Sequence, residues 1–261
     1  MKRGIKSLLF LSIVACGSVG TGWATTYDLN DYGVSFTIGT TGAVATEFTQ
    51  AMQPFNSSGT GVITPFLTIN AKSTEAGVNT DGTPLPFDDQ RPQWNNAITL
   101  GNLQSAAYRF ALDIDEPKAG DKSILSLDEF KVWVLPKVAG GALVNGNNVD
   151  TYTDLADLLA LKGGVKAFDL GANNILLHYD LWKGSGQILD MQLEVPSINF
   201  SGNSSDSYLY VWAKFSGSDN GGFEEWVLVP ANTPIPEPGT FLLLGSGLLG
   251  LGFYGRKRMK A

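Results

Sequence analysis

The stretch Gln187-Ile188-Leu189-Asp190-Met191-Gln192-Leu193-Glu194-Val195 decides the class of fold. Leu189, Met191, Leu193 and Val195 fall on one side of it, and Asp190, Gln192 and Glu194 on the other. A period of two is that of a β-strand with one buried face and one wet face, as antiparallel sheets have. Gly184-Ser185-Gly186 just before it predicts a hairpin to the preceding strand.

The same signature recurs along the chain. Short runs rich in Val, Ile, Tyr, Phe and Trp, punctuated by Gly, Asn, Asp, Ser and Pro, predict strands at 33–38, 62–69, 106–113, 129–135, 174–182, 187–195, 207–215 and 223–229. Only 154–161 reads as a helix, with Thr153 as its cap, Leu155, Leu158 and Leu159 on one face, and Gly163 as its stop. Eight half-apolar strands must cover one another with a second sheet. The expected class is therefore all-β, an antiparallel β-sandwich or jelly roll. No repeat is evident, and the polar stretch 79–96 reads as a surface loop within one body rather than a boundary. Trp94, Trp133, Trp182 and Trp226 are expected to help fill the core.

Among the 261 residues, 43% are hydrophobic and 16% charged, which is the balance of an ordinary globular chain. The single Cys16 excludes an internal disulfide framework. Between residues 25 and 233 eleven basic residues face twenty-four acidic ones, a net charge of −13. Such a body repels nucleic acid and points to divalent cations or neutral glycans as partners.

The basic residues missing from the body sit at the ends. Lys2, Arg3 and Lys6 precede a mostly apolar run, 7–19, and Gly22-Trp23-Ala24 supplies small residues at −3 and −1 of a cleavage point. Residues 1–24 thus read as a secretory signal peptide cut after Ala24. The rival reading is a lipobox at Ile13-Val14-Ala15-Cys16, with Cys16 lipidated. At the other end, Pro234-Ile235-Pro236-Glu237-Pro238-Gly239 precedes the apolar run 241–254 and then Arg256-Lys257-Arg258. As a helix the run reaches about 21 Å, short of the ~30 Å hydrocarbon core, and so is a marginal permanent anchor. Positive charge at both ends fits cytoplasmic termini and a translocated body.

Pro-Glu-Pro, a short Leu/Gly-rich apolar run and a basic tail, in that order over residues 234–261, resemble the PEP-CTERM sorting domain of Gram-negative bacteria. The resemblance implies a short transmembrane sorting helix and removal of the tail by an exosortase around Pro236, Glu237 and Pro238. It also implies export through an inner-membrane intermediate to the cell surface, exopolysaccharide or biofilm matrix. An anchor that is never cut is the alternative. A second resemblance, over about 120 residues, is to a group of PEP-CTERM proteins of uncharacterised function. It rests on Leu112-Asp113-Ile114-Asp115-Glu116, Leu125-Ser126-Leu127-Asp128-Glu129, Asp190-Met191 after Gly184-Ser185-Gly186, and Gly222-Phe223-Glu224-Glu225-Trp226. The third motif departs from the group in having Gln187-Ile188-Leu189 before Asp190. That group implies location and no catalytic residues.

Three constellations bear on chemistry. Asp113, Asp115, Glu116 and Asp121, with Asp128 and Glu129 beyond, are the densest acidic cluster and supply the oxygen ligands calcium takes. Their spacing is not that of an EF-hand, and a solvated acidic loop is the plainer reading. A smaller group, Asp219 and Asn220 with Glu224 and Glu225, has the same two readings. Tyr208, Tyr210 and Trp212 share one strand face and offer either a sugar-stacking groove or a packed sheet face. His178 is the only histidine, so any Ser-His-Asp centre depends on it, and no Gly-x-Ser-x-Gly elbow or phosphate loop occurs. Asn56, Asn199 and Asn203 begin sequons that read as turn chemistry. The expected function is a non-enzymatic, exported structural or adhesive protein of an exopolysaccharide matrix. The alternatives are a calcium-dependent lectin-like module and a jelly-roll carbohydrate-active enzyme using carboxylates such as Glu225 or Asp190.

Overall fold

The computed structural model describes residues 24–31, 33–47, 65–79, 96–115, 124–137, 152–178, 189–219 and 222–228. In chain order the elements are β1 (Thr26–Leu29), β2 (Ser35–Ile38), β3 (Ala43–Glu47), β4 (Leu67–Ile69), β5 (Lys72–Val78), β6 (Ile98–Thr99), α1 (Leu100–Ser105) and β7 (Arg109–Asp113). Then come β8 (Ile124–Leu135), α2 (Tyr152–Leu161), β9 (Val165–Asp169), β10 (Asn174–His178), β11 (Met191–Glu194), a 3₁₀ turn (Ser197–Phe200), β12 (Tyr208–Asp219) and β13 (Glu224–Leu228). The all-β expectation holds. Residues 1–23 and 229–261, which carry the expected signal peptide and sorting helix, lie outside the described residues, as do Trp94, Trp182, Asn56, Gly184, Ser185 and Gly186. Ala24 is exposed, two residues before β1 starts at Thr26.

The strands form two sheets. The first runs β1-β10-β8-β12-β5, with β9 beside the second half of β8 and β6 beside the start of β12. The second runs β2-β3-β11-β7-β13-β4. Every pair is antiparallel except β1 on β10. The sheets bury their facing sides against each other. Phe130 of β8 reaches across to Trp226 of β13 and Phe110 of β7, with ring centroids 4.7 and 5.2 Å apart. Both spacings fall within the range of favourable aromatic pairs.

The deciding stretch is half as expected. Leu189, Met191, Leu193 and Val195 are buried, but so are Asp190 and Gln192, leaving Glu194 as the exposed residue of the opposite face. The turn of the predicted hairpin, 184–186, lies outside the described residues, and β10 and β11 do not pair. β10 belongs to the first sheet and β11 to the second, where β3 and β7 occupy both of its edges.

β8 starts earlier than predicted and changes face in mid-course. Leu125 and Leu127 point into the core, and so do Phe130, Val132 and Val134. The three-residue step between the two sets is a β-bulge: Phe215 pairs with Leu127 and the adjacent Lys214 with Glu129, which leaves Asp128 as the extra residue.

The outer face of the first sheet carries a second apolar cluster under α2. Leu155 and Leu159 of the helix pack with Trp133, Leu135, Tyr210 and Trp212. Gly163, at φ +79°, stops the helix in the left-handed region as the sequence predicts. The helix includes Tyr152 and Thr153, so it begins before the predicted cap. The short α1 was not foreseen. It starts at Thr99, whose hydroxyl accepts the Asn102 N–H while the Asn102 side chain accepts the Thr99 N–H, a reciprocal cap.

Candidate functional site at the acidic end of the second sheet

Strand order and register collect the acidic motifs at one end of the second sheet. Glu47 closes β3 opposite Met191, and Asp190 precedes Met191 on β11. Met191 lies opposite Leu112, so Asp113 closes β7 at the same level, and Glu225 of β13 lies opposite Asp113. By the alternation of a strand, Glu47 and Glu224 share the side of Met191, Leu112 and Trp226, facing the first sheet, while Asp113 and Glu225 face the other way.

Asp190 extends the ladder with its side chain. Its backbone N–H donates to the Leu112 carbonyl at 2.8 Å, and its Oδ2 accepts the Ile114 N–H at 2.7 Å. This charge-assisted bond accounts for an acid 5% exposed at a position where alternation predicted water. Next to it, the chain at Gly222 lies so close to Asp115 that a Cβ there would collide with the Asp115 carboxylate and carbonyl. Glycine is thus the residue that lets the loop into β13 pass. Three of the four motifs quoted above, around Asp113, Asp190 and Gly222, are spatial neighbours although more than 100 positions separate the first from the last.

The fourth motif lies on the first sheet. Ser126 donates to Asp128 at 2.7 Å. Glu129 pairs with Lys131, accepts the Trp212 indole N–H at 3.1 Å, and has the Lys214 ammonium at 3.5 Å. Burial alone raises the Glu129 pKa, but the Lys131 and Lys214 ammonium groups and the Trp212 N–H outweigh it and hold the carboxyl below its ordinary value.

The end of the second sheet is oxygen-rich and closed. Glu47, Asp113, Asp190 and Glu224 are all buried, an arrangement that requires hydrogen-bonded or charge-compensated carboxylates. Of the expected calcium ligands, Asp113 is buried and Asp115 lies against Gly222, while Glu116 and Asp121 fall outside the described residues. Among the described residues, no three His, Cys, Asp or Glu side chains converge on a point that would hold a metal.

The expected sugar-stacking row has a different position from an open groove. Tyr210 is fully buried, Trp212 is 3% exposed and Tyr208 is partly buried, all beneath α2. Their rings support the helix. Trp133 joins them and Trp226 fills the main core, as the sequence predicts for these two. His178 holds Asp28 through Nε2 at 2.7 Å across β10 and β1. Two residues that matter here gave no signal in the sequence. Glu47 looks like an ordinary strand end, and Asn79 like the start of a polar loop.

The processing motif itself, Pro236, Glu237 and Pro238, lies outside the described residues. Residues 234–258 match the PEP-CTERM protein-sorting motif. The chain carries a PEP-CTERM sorting signal. The motif implies export, an exosortase as processing partner and a membrane-anchored sorting intermediate. The match covers the PEP-CTERM tail and not the body. No curated protein and no solved structure matches the chain.

Proposed function

We propose that the chain is a structural or adhesive surface protein, without enzymatic activity, that associates with exopolysaccharide in an extracellular matrix after exosortase processing. The PEP-CTERM signal at residues 234–258 carries this reading, joined to a β-sandwich body of net charge −13. A neutral or cation-bridged polymer is the partner that such a body tolerates.

A calcium-dependent binding module is the second reading. Its support is compositional: Asp113, Asp115, Asp190 and Glu225 lie at one end of the second sheet and offer the hard oxygen donors that calcium takes, without three of them meeting at a point among the described residues. In this form the acidic end, rather than the buried row Tyr208, Tyr210 and Trp212, meets the glycan.

The test is a pull-down of the processed protein on a panel of bacterial exopolysaccharides, with calcium and with chelator. Saturable binding in both conditions supports the structural matrix reading, and binding lost in chelator supports the calcium module. Hydrolysis of any panel member, lost in Glu225→Gln, would replace both with a carbohydrate-active enzyme.

A further inference from the structure

The two ends of the sandwich differ in chemistry, and the sorting tail leaves from one of them. β13 starts at the acidic end and finishes at Leu228, opposite Phe110 near the start of β7. At this tail end lie the close of β11 and the 3₁₀ turn after it, the close of β8, and the starts of β12 and β9. Leu161, Val165 and Ile198 are the exposed large hydrophobic side chains among the described residues, at 86%, 58% and 72%. Leu161 closes α2, Val165 opens β9 just across the turn at Gly163, and the 3₁₀ turn carrying Ile198 packs beside β9. All three therefore stand at the tail end.

Cations share that end. Arg109, Lys137, Lys162 and Lys166 are placed there, against Glu194 and Asp206. Lys137 lies 3.9 Å from Asp206, and Lys166 is 2.6 Å from Asp169. The opposite end holds Glu47, Asp113, Asp115, Asp190, Glu224 and Glu225. Single exposed hydrophobics are ordinary, but three gathered with lysines at the end facing the tail form a surface patch.

We propose that this end of the body seats on the anionic phospholipid surface while the PEP-CTERM tail holds the chain in the membrane. The inference rests on the sorting signal and not on the matrix role. Twelve residues, 229–240, separate Leu228 from the apolar run that starts at Phe241, a tether of at most about 40 Å. A tether this short makes contact with the bilayer effectively intramolecular, so a weak patch suffices. Lysines near an anionic surface are attracted to it, and Leu, Ile and Val add their interfacial burial. The seat turns the acidic end away from the anionic bilayer. Cutting the tail removes the tether, and the patch alone no longer retains the body.

The test uses full chains with Cys16→Ser and one fluorophore-labelled cysteine, at Leu161→Cys or Ile198→Cys, or at Ser35→Cys on the opposite end. The chains are held by their tails in mixed phosphatidylethanolamine and phosphatidylglycerol vesicles containing a lipid with a spin-labelled headgroup. Quenching at positions 161 and 198 is expected to exceed that at position 35 at least ~threefold, as for an interfacial contact. The excess should shrink when phosphatidylcholine replaces phosphatidylglycerol, and in Lys162→Glu/Lys166→Glu. Flotation of the vesicles reads tail insertion separately, so a failed sorting signal is not mistaken for a failed seat. Equal quenching at both ends overturns the proposal. Shielding of positions 161 and 198 that requires added exosortase also overturns it, and assigns the patch to that enzyme.

Discussion

Asn79 does with one side chain what a strand does with its backbone. Its Oδ1 accepts the Val211 N–H at 2.6 Å, and its Nδ2 donates to the carbonyls of Leu209 at 3.0 Å and Asn96 at 3.2 Å. It thereby joins β5 to β6 along the edge of β12. Asn79→Ala leaves a buried N–H and a buried carbonyl without partners, so it should cost about 2–4 kcal/mol in urea unfolding. Asn79→Asp, which keeps the acceptor, should show whether that acceptor carries most of the effect. Glu129 makes a second prediction, for acid stability. Its folded pKa lies below the ordinary glutamate value, so its contribution is present above that ordinary value and is lost as pH falls through the folded one. Glu129→Gln should therefore be less stable than the parent at pH 7, by on the order of 1 kcal/mol for a partly exposed network, and the gap should close as pH falls through the folded pKa of Glu129. A gap that widens on acidification would contradict the ion-pair account. The sequence marked Asp113, Asp115 and Asp190 as notable but could not place Glu47 at their end of the second sheet, nor Asn79 against β12 in the first. Those two owe their roles to register, which joins residues far apart in the chain.

Elements were legible where one face is apolar and the other polar. β7, β8, β10, β11, β12 and β13 all follow from alternating patterns, with ends that differ by a few residues. β5 was not legible. Its sequence, Lys72-Ser73-Thr74-Glu75-Ala76-Gly77-Val78, buries Glu75 on the core side and Ala76 and Val78 on the helix side, so polarity does not track burial. β1 and β9 are short edge segments with mixed residues, and the cap of α1 lies in two hydrogen bonds rather than in a pattern. The bulge in β8 was present as a step of three between Leu127 and Phe130, but only pairing with β12 reveals it as one continuous strand. The helix α2 was legible because Leu155 and Leu159 recur at four-residue spacing. What they cover was not. Because Leu159 is fully buried against the outer face of the first sheet, Leu159→Ala should cost roughly 2–4 kcal/mol. The same change should raise the exposure of Trp133 and Trp212, read as a red shift of tryptophan emission. If emission and stability both stay unchanged, α2 does not cover that face.

At the scale of the molecule, the class of fold was legible because half-buried strands require a second layer, whereas the route between layers was not. A glycine pair next to a strand predicts a hairpin, yet both edges of β11 are taken by β3 and β7, and β10 lies in the other sheet. Residues up to Leu228 supply both sheets and the main core, Trp226 of β13 included, while the sorting motif occupies residues 234–258. The body is expected to fold without its sorting signal. A chain ending at Thr233 should unfold at the same denaturant concentration as the full chain, with a difference within about 0.5 kcal/mol, the level of changes that touch no buried feature. The same truncation should abolish the membrane-anchored intermediate, because residues 234–258 carry the PEP-CTERM signal. Replacing Glu237 by alanine separates the steps further: the chain should fold and insert but accumulate at its uncut mass. A truncated chain that is destabilised by several kcal/mol would mean that the tail packs on the body. In that case exosortase processing would alter the fold as well as the address.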